Sequence, residues 1–167
     1  GVIFFFSFSI TPQLTFSQKV KESYLQKLDD LIDEIKILQA FAEQAGIKKT
    51  QTQFFITRAS YKKIESLIGY YFESYVLRLN GPPIPYFEES ESYIMENEAL
   101  GMQVIEGFIF PKYDTRNDPA LKYQMDELLR YAVELSSVHE AMDITDANLF
   151  DAFIEEMYRI TVLGLSG

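Results

Sequence analysis

Gln103 and Glu106 are the two polar side chains in a run, Leu100 to Phe110, that is otherwise apolar or glycine. They stand three residues apart, so a helix places them on one face. A carboxylate in so apolar a segment must be paired, metal-bound or protonated. Two readings follow. Glu106, with Gln103 beside it, could hold a metal or small ligand on the inner face of a helical bundle. The plainer alternative, which the residue types favour, is a buried structural pair with Arg58 or Arg159. A second group is Arg58, Tyr61 and Glu65, on a stripe spaced four, three, four, three (Phe54, Arg58, Tyr61, Glu65, Ile68, Phe72, Tyr75, Leu79), with Lys62 one turn after Arg58. As a binding site it would suit an anion at Arg58 and Lys62, or a cation at Glu65 and Glu106. As architecture it would be a salt-bridge network. Arg58 and Glu65 are two turns apart, about 10 Å, so each should reach a partner on another helix. Glu106 is the natural partner of Arg58, and one cluster would then tie the helices together.

Other chemistry finds little support. His139 is the only histidine, and a single imidazole without a partner motif is weak ground for a metal or a catalytic base. Di-iron bundles need Glu-x-x-His on two helices, which one histidine cannot provide. Asp29, Asp30, Asp33 and Glu34 read as a solvated helix face and lack the Gly-turned loop of an EF-hand. The chain has no cysteine, which removes disulfides, a thiol nucleophile, thiolate zinc sites and covalent haem attachment within it. No nucleophile elbow, phosphate loop or dinucleotide fingerprint is present. A formal net charge of −10 repels phosphate backbones, so nucleic acid is not an expected partner.

The elements that must carry these groups are helices. Val20, Tyr24, Leu28, Leu31, Ile35, Leu38 and Ala42 form one apolar stripe on a helix from about Pro12 to Gln44, which Gly46 ends. The Arg58 stripe predicts a second helix from about Thr50 to Leu79, stopped by "NGPPIP". Residues 86–97 read as a loop or loose helix. The Gln103 run reads as a short, almost wholly buried helix closed by Pro111. Asn117 or Asp118 caps a third long helix, with Pro119 in its first turn and Leu121, Met125, Leu128, Ala132, Leu135 and Val138 along its stripe. "DITDAN" caps a last helix, from about Ala147 to Leu163 through Phe150, Ile154 and Met157. The expected fold is all-α: an antiparallel four-helix-type bundle with one additional short buried helix. Residues 12–167 form its single domain. Residues 1–11, "GVIFFFSFSIT", are too short to span a bilayer. They read either as the remnant of a secretory signal segment or as an N-terminal arm, and the first reading implies export. The apolar end at "LGLSG" suggests a longer natural polypeptide.

With these residues in hand the chain resembles a known group. "FFITRASYKKIESLIGYYF", "LNGPPIP", "EALGMQVIEGFIFP" and "YRITVLGLSG" occur in this order. They are similar to the helical N-terminal region of Bacteroidetes-type di-haem cytochrome c peroxidases, a region itself similar to the imelysin-like family of exported proteins. The likeness covers roughly residues 20–167. Its most specific parts are R-x-x-Y-K-x-x-E at Arg58, Tyr61, Lys62 and Glu65, and G-x-Q-x-x-E at Gly101, Gln103 and Glu106.

The resemblance implies half of an imelysin-like pair of bundles. It implies a non-catalytic accessory domain, exported to the periplasm or cell envelope, that docks or positions a partner. The partner would be a downstream haem peroxidase domain or a basic cytochrome, with the haem and the chemistry outside this chain. Imelysin-like proteins carry G-x-H-x-x-E at the matching place, a suspected metal motif in a family linked to iron uptake. Here Gln103 replaces the histidine, and an amide is a poor transition-metal ligand. A metal or small-ligand binding protein, with its site at Arg58, Glu65, Gln103 and Glu106, is the alternative.

Overall fold

The computed structural model describes residues 13–44, 46–89, 94–112, 118–140 and 142–165. The expectations for residues 1–11 and for an Asn117 cap lie outside these. The described residues form an all-helical bundle with one small β-hairpin. None of their helices is long and apolar enough to cross a membrane.

Helix α1, Phe16–Gln44, is 29 residues long, about 44 Å at ~1.5 Å per residue. Its stripe is the spine of the core: Tyr24, Leu28, Leu31, Ile35 and Leu38 are all buried. Gly46 turns the chain with a positive φ of 79°, a conformation that favours glycine. Helix α2, Ile47–Lys62, then packs back along α1. Across this interface Gln53 and Thr57 both donate to the Glu34 carbonyl, at 3.3 and 3.2 Å.

The second long helix expected from the sequence is not continuous. It divides into α2, α3 (Glu65–Tyr71) and α4 (Glu73–Asn80). At the first break Lys63 and Ile64 donate back three residues, to Ser60 and Tyr61, a tightened turn. Phe72, at φ −146° and ψ 60°, makes the second break. The segment from Ile64 to Phe72 is rich in β-branched, aromatic and glycine residues with modest helix propensity. Burial of Ile64 and Ile68 in the core outweighs continuity of the backbone. Arg58 and Glu65, on either side of the first break, have different partners.

Helix α4 ends at Asn80, where Gly81 is obligatory. A Cβ there would lie 2.0 Å from the Leu77 carbonyl oxygen. Strands β1 (Tyr86–Glu89) and β2 (Ile94–Asn97) pair antiparallel, with Tyr86 opposite Asn97 and Glu89 opposite Ile94. The hairpin replaces the expected loop or loose helix. Strands of four residues are too short to display a readable alternation.

Helix α5, Met102–Ile109, buries Met102, Ile105 and Ile109 but leaves Gly107 exposed and Glu106 half-exposed. It is one-faced rather than almost wholly buried. Helix α6, Asp118–Glu140, packs on α1, α4 and α5. Leu121 to Leu135 of its stripe are buried as expected, but Val138 is exposed and His139 takes the core position instead.

Helix α7, Asp146–Leu165, packs on α3 and, less, on α1. Thr145 caps it by accepting from the Asn148 N–H at 3.2 Å. Its expected stripe, Phe150, Ile154 and Met157, faces outward, and Ala152 is the residue that faces the bundle.

Candidate functional site

The residues singled out by sequence do not form one cluster. They separate into two, on either side of the α2–α3 break.

The first joins α2, α4 and α5. Arg58 Nη1 donates to Glu106 Oε2 at 2.5 Å, with the two side chains 32% and 40% exposed. Gln103 Nε2 donates to the Asn80 carbonyl at 3.1 Å, meeting an acceptor left open at the end of α4. Gln51 Nε2 does the same for the Ile109 carbonyl at the end of α5, at 2.7 Å. Gly101 sets the approach. Its φ is +90°, and a Cβ on it would fall 2.5 Å from the Leu79 carbonyl carbon and oxygen. The three fixed residues of G-x-Q-x-x-E therefore all serve the architecture. Gly101 allows close backbone contact, Gln103 caps α4, and Glu106 forms an ion pair to α2. As a metal site the donor set is poor. The amide nitrogen of Gln103 faces a carbonyl, and Glu106 is already paired. Among the described residues, no three His, Asp or Glu side chains converge as metal ligands would.

The second cluster centres on Glu65, the first residue of α3, whose side chain is 7% exposed. Lys62 Nζ reaches both its oxygens, at 2.8 and 2.6 Å. Arg159 of α7 reaches Oε2 at 3.2 Å, and with its other contacts clasps Glu156 at 2.7 and 2.8 Å. Arg159, the alternative partner expected for Glu106, belongs instead to Glu65. Its hydrogen bonds hold the Glu156 carboxyl below the usual carboxylate range. Tyr61 is wholly buried beneath this cluster, and its hydroxyl has no hydrogen-bond partner. Burial first, and the nearby Glu65 charge second, push its ionisation well above the ordinary tyrosine value.

This second cluster opens onto a cavity of about 640 Å³ between α3, α4 and α7. Glu65, Tyr70, Tyr71, Glu73, Glu155, Glu156 and Arg159 line it. The volume is that of a small-molecule site. The residues missed by sequence reasoning are Tyr70, Tyr71, Glu73, Glu155 and Glu156. Only the Glu156–Arg159 spacing carried a local signal. The rest depend on how α7 crosses α3.

His139 is buried and neutral in its bonding. Nδ1–H donates to the Leu135 carbonyl at 2.9 Å, and Nε2 accepts from the Tyr24 hydroxyl at 2.9 Å. Burial lowers its pKa, and the Lys21 charge acts in the same direction. With both ring nitrogens used it is a core residue, in keeping with its lone occurrence. No protein-family model, curated protein or solved structure matches this chain.

Proposed function

We propose that this chain is a non-catalytic helical docking domain, the accessory module of an exported di-haem cytochrome c peroxidase-type protein in the periplasm or cell envelope. The observation that carries the reading is the consumption of the G-x-Q-x-x-E groups as ties between helices, which leaves no reactive group at the most family-specific motif. The absence of cysteine means that any covalently attached haem sits outside this chain. Its net charge of −10 suits the long-range steering of a basic cytochrome donor. Stopped-flow association with a basic c-type cytochrome, measured over a range of salt, tests this. The rate should fall by about tenfold or more between low and physiological ionic strength. A salt-independent rate contradicts the reading.

The cavity beside Glu65 favours a second reading, a small-ligand binding protein of imelysin-like type. Its wall carries four carboxylates and one arginine, which suits a small organic cation. Thermal-shift screening of amines, with Glu65→Gln as the control, tests it. Stabilisation that disappears in the variant supports this reading, and a flat response to every amine sinks it.

A further inference from the structure

We propose that the outer face of α7 is a seam for one amphipathic helix with basic flanks, carried by a partner protein or domain. The proposal rests on the docking reading and names its surface.

Phe150, Phe153, Ile154, Met157 and Ile160 recur every three or four residues, so they line one side of α7. Most of that side lies away from Ala152, which packs on the bundle, while Phe150 and Phe153 also line a groove of about 480 Å³ with Phe16, Val20 and Leu67. Phe150, Phe153 and Met157 are 65%, 61% and 50% exposed. Together the five side chains present roughly 500 Å² of apolar surface, at the upper end of the largest patch on an ordinary monomer. A helix apolar on its outer side in this way is built to be covered.

Charge decides what covers it. Asp151 borders the seam on one side and takes part in no ion pair among the described residues. Glu156 lies toward the other border, where Arg159 also meets it. The only base of α7, Arg159, is engaged with Glu65 and Glu156. Residues beside an interhelical seam select partners of opposite charge. A second copy would set acid against acid on a chain that already carries −10. A helix with an apolar stripe and lysine or arginine borders meets both requirements.

Titration calorimetry on the whole chain tests this with two synthetic helices of about three heptads. Both carry leucine on the seam, one with lysine borders and one with glutamate. The lysine peptide should bind one to one, and the glutamate peptide about tenfold more weakly or worse. The double variant Phe153→Ser/Met157→Ser should lose the binding by a similar factor. The exposed controls Ile56→Ser and Val133→Ser should not. Equal affinity for both peptides, or unchanged binding by the α7 variant, overturns the proposal. So does a dimer in sedimentation velocity that the α7 variant abolishes, which would assign the seam to a second copy. Binding that emerges only after deletion of residues 1–12 would assign it to the chain's own N-terminal segment and overturn it equally. Failure of the peptide test with salt-steered cytochrome association intact would remove α7 while leaving the docking reading standing.

Discussion

The two ends of the α2–α3 stripe use the same residue types to different ends. Arg58 meets Glu106 in a pair that is part-exposed on both sides, between helices whose apolar faces already pack. Such a pair adds direction more than strength. Seven residues along, Glu65 is buried and held by two cations that remain accessible, Lys62 and Arg159. Beside it lies a cavity, and beyond that a helix whose apolar side is open. One end is closed by its own groups, and the other is left available. The two ends stand on either side of the break at Lys63 and Ile64, and Glu65 joins α7 and not the Arg58 group.

The largest effect is expected from stripping Glu65 of both partners. Lys62→Met with Arg159→Met leaves a buried, unpaired carboxylate, and chemical denaturation should show a loss of about 3–5 kcal/mol. Either single change should cost much less, because the other cation remains. Equal costs for the single and double variants would break the contrast between the two ends.

Gly101→Ala comes next. It forces a side chain into the Leu79 backbone at a positive φ, and should cost about 2 kcal/mol or more. The same change at exposed Gly107, which has open space around it, should be neutral or slightly stabilising. Equal outcomes would mean that α5 does not depend on the close approach at Gly101.

His139 gives a smaller effect, through pH. Its folded pKa lies below the ordinary value near 6.5. The unfolded chain therefore binds the proton more readily, and stability from this group is complete above about pH 6.5. It is lost as pH falls through the lower folded pKa. His139→Gln should cost about 1 kcal/mol at pH 7 and flatten the stability curve below about pH 6.5. A variant with an unchanged slope would show that imidazole protonation is not what the slope reports.

Much of the frame was legible because α1 and α6 each carry one long stripe ending at glycine or at a capping sequence, with only Val138 out of place. The Arg58–Glu106 pair was legible for a related reason: two charges in apolar phase each needed a partner on another helix. The breaks at Ile64 and Phe72 were not, since their residues continue the four-three spacing while the backbone departs from it. Nor was the direction of α7. An amphipathic stripe says that Phe150, Ile154 and Met157 share a side, but not whether this chain covers it. The cavity was beyond reach for the same reason, because its walls come from residues far apart in the chain, such as Glu65 and Arg159. The hairpin was lost to its brevity.

The most direct test of the central claim, that the Gly101–Gln103–Glu106 segment is a tie and not a metal centre, is one comparison of the parent with Glu106→Gln, Arg58→Met and the double variant. Each is dialysed against iron, zinc, copper and calcium, analysed for bound metal by mass spectrometry, and unfolded in denaturant. The account predicts no stoichiometric metal in any of the four and a coupling of about 0.2–1 kcal/mol between Arg58 and Glu106. One equivalent of metal in the parent that vanishes with Glu106→Gln, with no coupling to Arg58, would contradict it.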